Sequence, residues 1–244
     1  MLKLPSANRT VQSYLAERPL RAELHFVKGG EELNGRRFNE AGHVVTGVLG
    51  GKAVQIFSQP NRVIDDFANT PGRAEDILRF TQRYGVVHRE DVPLSMIDPR
   101  FIARPFLIDC AQWLKSQALF REEWERKAKP DDDHARILAE QINAKSPLER
   151  AVKAFVVPGR SKGFHIELRP DDLLGALWLA LLGYSDRTRK CENPTCSSPY
   201  FIAARRDQKY CNEACSRLVA NRRWWTKKGA QWRENRLKNE RRNA

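Results

Sequence analysis

Four of the five cysteines lie within a 25-residue window near the C-terminus, in the pattern C-x4-C-x14-C-x3-C. They are Cys191, Cys196, Cys211 and Cys215. Two short-spaced pairs separated by a loop suit a tetrahedral metal site, because each pair can wrap one side of the ion while the loop closes the other. Four thiolates favour zinc and leave no open position for water, so the pattern predicts a structural zinc rather than a catalytic one.

Disulfides are the alternative use of these cysteines. The first 21 residues contain no continuous apolar run, so the sequence indicates no secretory signal and we expect a cytoplasmic protein. In that reducing compartment two adjacent disulfides are unstable, whereas metal-bound thiolates are a common staple of small domains. The fifth cysteine, Cys110, lies alone in a stretch with helical spacing, and we expect it in the hydrophobic core.

Positive charge is concentrated around and after the cysteines. The chain carries a formal net charge of +13, and residues 191–244 alone hold 13 Lys and Arg against five acidic residues, a net charge of +8. This concentration predicts a nucleic acid, most simply double-stranded DNA, as the partner. A solvated surface that only keeps the protein soluble is the alternative. The predicted phosphate contacts are Arg205, Arg206, Lys209, Arg217, Arg222, Arg223, Lys227 and Lys228.

The segment after the third cysteine predicts a basic helix. Asn212 is a suitable N-cap, and the helix should run to about Lys228, where Gly229 interrupts it before a second basic helical tail with Trp232. We expect Trp225 to pack on the finger rather than to stack on bases. The face predicted to pack is formed by Ala214, Leu218, Asn221 and Trp225.

The preceding chain predicts a mixed domain, so the expected fold class is α+β: β-hairpins, then mostly helices, over residues 1–185, followed by a small zinc finger and basic helix over 186–244. Alternating strands with a hairpin at Gly50-Gly51 should fill residues 22–57. The longest apolar stretch has 12 residues, against the ~20 of a membrane-spanning helix, so we expect a buried helix there and no membrane span. Further helices are predicted over 71–84, 106–127, 132–144 and from 173, with a strand over 164–168.

The cysteine region resembles the CGNR-type zinc finger of bacterial proteins, through Cys191-Glu-Asn-Pro-Thr-Cys196, Tyr200-Phe201, Arg205-Arg206, Tyr210-Cys211 and the basic helix. In that family the finger follows an α+β domain called ABATE, found in stress-induced transcription regulators. The segments Asp66-Phe-Ala-Asn-Thr70 and Asp171 to Trp178 are also similar to elements of these proteins. The name-giving Cys-Gly-Asn-Arg is here Cys215-Ser216-Arg217-Leu218, so the resemblance carries over the ligands but not that tripeptide.

These observations predict a zinc-dependent transcription regulator that binds DNA, with a small-molecule or protein effector of the N-terminal domain left open. An RNA- or protein-interaction module is the second interpretation. The third is an enzyme, for which the best cluster is Asp131-Asp132-Asp133-His134, more simply explained as a helix cap and first turn. The sequence contains none of the common catalytic or phosphate-binding motifs that we sought, so we expect no enzyme.

Overall fold

The computed structural model describes residues 15–33, 36–55, 60–88, 104–127, 152–158, 164–170, 172–184 and 186–242. Helices and strands are both present, and the four clustered cysteines lie together near the C-terminus. The predicted α+β class is therefore confirmed. Among the described helices, none combines the length and the hydropathy that a bilayer crossing requires.

A three-stranded antiparallel sheet forms the first layer, in the order β1 (Leu15–Val27), β4 (Gly42–Gln55), β5 (Arg104–Asp109). A two-residue pair, β2 (Glu32–Leu33) with β3 (Arg36–Arg37), lies in the connection from β1 to β4. Val45 and Ile108 pair across β4 and β5 and are fully buried.

The hairpin predicted at Gly50-Gly51 is wrong, because β4 continues through both glycines. Leu49 pairs with Pro19 and Ala53 with Glu17, so four residues of β4 advance against two of β1. The register shift absorbs the glycine pair as an irregularity within a long strand. The antiparallel pair in the structure is formed by β1 and β4 over their full lengths.

The described residues of the N-terminal part also form four helices: α1 (Pro60–Asn69), α2 (Ala74–Tyr84), α3 (Cys110–Lys127) and α4 (Leu173–Gly183). The helix predicted over 71–84 begins only at Ala74, and residues 106–109 of the long predicted helix belong to β5 instead. Residues 106–109 form a strand because they pair with β4. Periodicity alone cannot distinguish such a short apolar run from part of a helix.

The core is built from aromatic rings between these helices. Phe67 of α1 contacts Phe80 of α2 and both Trp113 and Phe120 of α3, with ring centroids 5.0 to 5.6 Å apart. Cys110 is buried in the same cluster, as expected. Helix α4 is apolar on all sides and buried over Leu173 to Leu181, as predicted, with Asp172 capping it by accepting a 2.8 Å hydrogen bond from the Gly175 N–H.

A separate hairpin pairs β6 (Val152–Pro158) with β7 (Phe164–Pro170) and confirms the strand predicted over 164–168. The helix predicted over 132–144 lies outside the described residues.

The C-terminal module consists of a short hairpin, β8 (Thr188–Lys190) with β9 (Tyr200–Ile202), and one helix, α5 (Glu213–Arg242). The predicted break at Gly229 is wrong, since α5 runs without interruption for 30 residues. A glycine inside a helix costs only about 1 kcal/mol relative to alanine, which the surrounding helix formers can offset. At 1.5 Å per residue α5 is about 45 Å long.

The module is docked on the N-terminal part through the side chain of Asn69. Its Nδ2 donates to the Tyr200 carbonyl oxygen at 2.7 Å, and its Oδ1 accepts from the Tyr200 N–H at 3.0 Å, so the amide replaces a neighbouring strand for β9. The Tyr200 hydroxyl and the Lys190 ammonium both donate to Oε1 of Glu125, at 2.7 and 2.6 Å. Burial and the bond to Glu125 raise the pKa of Tyr200 to about 12, so the hydroxyl remains a donor.

The end of α1 that carries Asn69 is itself held by α3. Gln117 donates to the carbonyl oxygens of Phe67 and Thr70, and Arg121 donates to those of Ala68 and Thr70, at 2.6 to 3.0 Å. A guanidinium and an amide thus satisfy the terminal carbonyls of the helix. Helix α3 thereby fixes the position of the residue that binds the module.

Asp65 is a residue of this interface whose charged form is destabilised by burial. Its Oδ1 is buried and has no hydrogen-bond partner among the described residues, and the nearby Ile202 N–H only partly offsets the effect of burial on the carboxyl. Burial raises the pKa of Asp65 to about 7, with a smaller contribution from the charge of Asp66. The charged form therefore opposes docking.

Replacing Asn69 with Ala should destabilise the protein by about 1–3 kcal/mol, because the N–H and the C=O of Tyr200 both lose their partner. Urea unfolding followed by circular dichroism measures the loss. Asn221→Ala, in an exposed position of α5, is the control and should change the free energy of unfolding by less than about 0.5 kcal/mol. Equal stability of the two variants would contradict the docking role.

The raised pKa of Asp65 predicts a pH dependence of stability. Its contribution to stability is fully present below its unfolded pKa near 4 and is lost as pH rises through about 7, because the folded state prefers the protonated carboxyl. Asp65→Asn should therefore gain stability over the wild type between pH 5 and 8. The measurement is the difference in urea midpoint across that range, and a constant difference would show that Asp65 does not titrate there.

Candidate metal centre and basic helix

The four thiols converge on one point. The Sγ atoms of Cys191, Cys196, Cys211 and Cys215 all lie within 4.8 Å of one another, with 3.6 Å between Cys196 and Cys211 and 3.7 Å between Cys211 and Cys215. An ion with tetrahedral Zn–S bonds of about 2.3 Å places its sulfurs about 3.8 Å apart, whereas a disulfide requires about 2.05 Å. The spacing therefore fits four ligands of one metal ion, and all four cysteines are free thiols.

Backbone hydrogen bonds shape the first pair of ligands. The Cys191 N–H donates to the Pro199 carbonyl at 2.7 Å, and the Cys196 N–H donates to the Asn193 carbonyl at 3.0 Å. The Glu192 N–H donates to the Lys209 carbonyl, which joins the first pair to the loop before the second. The loop residues thus close around the thiols as the C-x4-C spacing predicts.

The second pair lies at the start of α5. The Asn212 side chain accepts a 2.9 Å hydrogen bond from the Cys215 N–H, so the predicted N-cap is confirmed. Cys215 and Val219, one turn later, are buried, and Phe201 and Ala203 form a small core with the cysteines. The same residue that supplies a ligand therefore fixes the direction in which α5 leaves the module.

Asn193 is a positioning residue that our reading of the sequence missed. Its side chain is buried, donates from Nδ2 to the Cys215 Sγ at 3.3 Å, and accepts from the N–H and the hydroxyl of Thr195. This donor lowers the pKa of the Cys215 thiol. The signal that could have found it is the Asn-Pro step inside the first cysteine pair, since asparagine commonly bonds its own backbone two residues on.

Cys196 and Cys211 oppose ionisation without a cation. Burial raises the pKa of Cys196 and, more strongly, of Cys211, where the hydrogen bonds from neighbouring thiols add to the rise. A bound divalent cation reverses this balance, because thiolates are its ligands. The cluster is therefore chemically suited to a metal ion.

The predicted phosphate contacts fall into two groups. In the first group, the cations already face carboxylates at 2.6 to 3.8 Å: Arg205 with Asp207, Arg206 with Asp186, Lys209 with Glu192, and Arg217 with Glu213. These pairs are exposed, so each is worth at most about 1 kcal/mol and can be exchanged for a phosphate.

The second group lies on α5 after it leaves the module. Arg222, Arg223, Lys227 and Lys228 are exposed, and none has a carboxylate within 4 Å among the described residues. These four cations are available to a partner without breaking any existing pair.

The face of α5 predicted to pack is wrong. Leu218 is 55% exposed and Trp225 is 46% exposed, and the ring contacts of Trp225 are to Trp224 and Trp232 of the same helix. Cys215 and Val219 form the packed face instead. The reason is that Cys215 points into the cysteine cluster and so sets the rotation of the helix, and residues four apart share its side.

A cleft of about 250 Å³ lies where the cysteine module meets α1 and α2, with Ser198 on the module side. Its charged groups are already engaged, because Tyr84 donates to Asp66 and Arg83 forms an ion pair with Asp66 at 3.2 Å. An effector of the N-terminal domain thus stays a prediction. The cluster Asp131-Asp132-Asp133-His134 lies outside the described residues.

Comparison of the chain with models of protein families and with curated proteins finds no match.

The geometry predicts two graded effects on metal affinity. Cys211→Ser should abolish tight binding of one Zn²⁺, and Asn193→Ala should weaken it by about 10- to 100-fold, because the loss of a side chain that hydrogen-bonds a metal-binding atom has effects of that size. Competition with a chromophoric chelator measures both. Asn221→Ala is the control and should bind as the wild type does, and unchanged affinity in Asn193→Ala would rule out its positioning role.

Proposed function

We propose that this protein is a zinc-stabilised nucleic-acid-binding protein, with double-stranded DNA as the leading partner and transcription regulation as its role. The observation that carries the proposal is a basic helix anchored by a cysteine cluster and exposed over most of its length. Residues 221–242 hold nine Lys and Arg against two acidic residues, a net charge of +7.

Zinc is the ion that the donor set favours. Four thiolates are soft ligands, and their tetrahedral spacing leaves no coordination position for a substrate or water. The ion would hold the start of α5 against the β8–β9 hairpin and so support the helix, without taking part in a reaction. The resident metal is thus a folding element in this proposal.

Phosphate is the anion that the basic surface suits. The cations point in several directions around α5, as expected for a helix lying along or within a groove flanked by two phosphate backbones. Arginine can bind phosphate through two parallel hydrogen bonds, and each neutralised phosphate releases counterions. These features support affinity, whereas a base sequence cannot be assigned from them.

The docking of the module supports a regulatory arrangement. Tyr200 lies four residues after Cys196, and its backbone is held by Asn69 of α1. A ligand or partner that moves α1 would therefore displace the metal module directly. The resemblance to ABATE and CGNR proteins implies the same division into a sensing and a binding part.

The proposal predicts a steep salt dependence of DNA binding. In fluorescence anisotropy with a labelled duplex, log Kd against log salt should have a slope set by about 0.9 per phosphate neutralised. Replacing Arg222, Arg223, Lys227 and Lys228 with Gln should reduce that slope by up to about 3 to 4 and weaken binding strongly at low salt.

A matched control has the same loss of charge elsewhere. Replacing Lys28, Arg62, Arg73 and Lys115 with Gln, all exposed on the N-terminal part, should leave the slope nearly unchanged. Equal effects of the two sets would show that binding depends on the net charge of the protein and not on the position of the four cations of α5. Binding to neither DNA nor RNA would overturn the proposed function in favour of a protein-interaction module.

A further inference from the structure

Three tryptophans form an exposed cluster on α5, which we call the Trp cluster: Trp224, Trp225 and Trp232. Their exposed fractions are 42%, 46% and 43%, although tryptophan is usually well buried. The other three tryptophans, Trp113, Trp124 and Trp178, are buried in the N-terminal core. The exposed set therefore needs an explanation other than packing of the fold.

The rings contact one another edge to face. The centroids of Trp224 and Trp225 are 4.9 Å apart, those of Trp225 and Trp232 are 5.5 Å apart, and those of Trp224 and Trp232 are 6.5 Å apart. In an edge-to-face pair only one ring has a face covered, so three such contacts cover at most three of the six ring faces. The cluster presents a pre-formed aromatic surface to solvent.

Gly229 makes this arrangement sterically allowed. A Cβ atom at this position would lie 2.4 Å from Cε3 of Trp225, so the indole lies across the helix where any larger residue would collide with it. The glycine that predicted a helix break instead gives a ring its place on the helix surface. Glycine destabilises the middle of a helix, but its lack of a side chain here leaves room for the Trp225 ring in the aromatic cluster.

The charges around the cluster select its partner. Arg236 lies over the Trp232 ring, with the guanidinium carbon 5.6 Å from the centroid. Lys228 lies one helical turn after Trp224, and Arg233 follows Trp232 directly. A second copy of α5 would bring +7 against +7 and is disfavoured. An interfacial membrane helix needs a continuous apolar face, whereas Asn221 and Asn239 continue the line of Trp225 and Trp232.

We propose that the Trp cluster binds unpaired bases, so that the nucleic acid recognised by this protein includes a single-stranded or locally opened segment. The inference rests on the proposed function and specifies its substrate. Aromatic rings stack on unpaired bases while flanking cations follow the phosphates, and each stacked base adds to the affinity. The bases of an intact duplex have no free faces except at its ends, so the cluster adds little to duplex binding.

The test compares oligo(dT), a 20-nucleotide single strand without secondary structure, with a blunt-ended 20-base-pair duplex. Wild-type protein should show quenching of tryptophan fluorescence on adding oligo(dT). A variant with Trp224, Trp225 and Trp232 all replaced by Leu should lose this quenching, and its affinity for oligo(dT) should fall at least tenfold. Its affinity for the duplex should change less than threefold.

Two further measurements keep the outcome unambiguous. Leucine is a good helix former, so circular dichroism of the Leu variant should show unchanged helicity. A variant with all three replaced by Phe should recover part of the oligo(dT) affinity, because phenyl rings also stack. Oligo(rU) in parallel distinguishes RNA from DNA as the source of the bases.

The result that would overturn the inference is an equal loss of duplex and oligo(dT) binding in the Leu variant, or no loss of either. Dimers that disappear in the Leu variant, or binding to vesicles of phosphatidylserine in preference to oligo(dT), would also overturn it in favour of the other partners. If wild-type protein binds no nucleic acid at all, the proposed function fails as well. Duplex binding that depends on Arg222, Arg223, Lys227 and Lys228 but not on the Trp cluster would leave that function intact.

Discussion

Four thiols that lie within 4.8 Å of one another impose the main constraint on the C-terminal half of this protein. Burial raises the pKa of two of them, Cys196 and Cys211, and the module around them has too few apolar residues to fold on a hydrophobic core alone. Its own core is little more than Phe201 and Ala203 beside the cysteines, with Tyr210 packed against it. A metal ion held by the four cysteines would supply the missing cohesion, because it would stabilise the thiolates and tie both ends of the loop to the start of α5.

The same module gains a second support from the N-terminal part. The Asn69 amide pairs with the backbone of Tyr200, and Tyr200 and Lys190 share Glu125, so the hairpin next to the metal is held from two helices. This interface includes the unfavourable burial of Asp65, which weakens docking as pH rises through the pKa of that carboxyl near 7. The interface therefore combines hydrogen bonds of the Tyr200 backbone and side chain with a buried carboxyl that titrates near neutral pH, so its stability depends on pH.

Beyond its first two turns α5 has no support from the rest of the described structure, and its chemistry there is directed outward. This segment holds four cations that have no carboxylate within 4 Å in the described part of the chain, and three tryptophans in mutual contact. Charge attracts a polyanion over long distances, whereas the rings act only on contact with a flat apolar surface such as a base. The two features together describe a nucleic acid more closely than either does alone.

The sequence by itself determined the features that depend on local spacing: the cysteine pairs, the Asn212 cap, the apolar helix α4, the strand at 164–168 and the α+β class. Tertiary structure decided those that depend on partners distant in the chain. Because β4 pairs with β1 on both sides of Gly50-Gly51, the strand continues through the glycines. Residues 106–109 form a strand because they pair with β4. Cys215 at the cysteine cluster sets the rotation of α5, so Leu218 and Trp225 face outward. The roles of Asn193 and Asn69 depend on the fold, because only the fold places them next to Cys215 and Tyr200. Periodicity reports which residues share a face, but only the packed neighbours decide which face is buried.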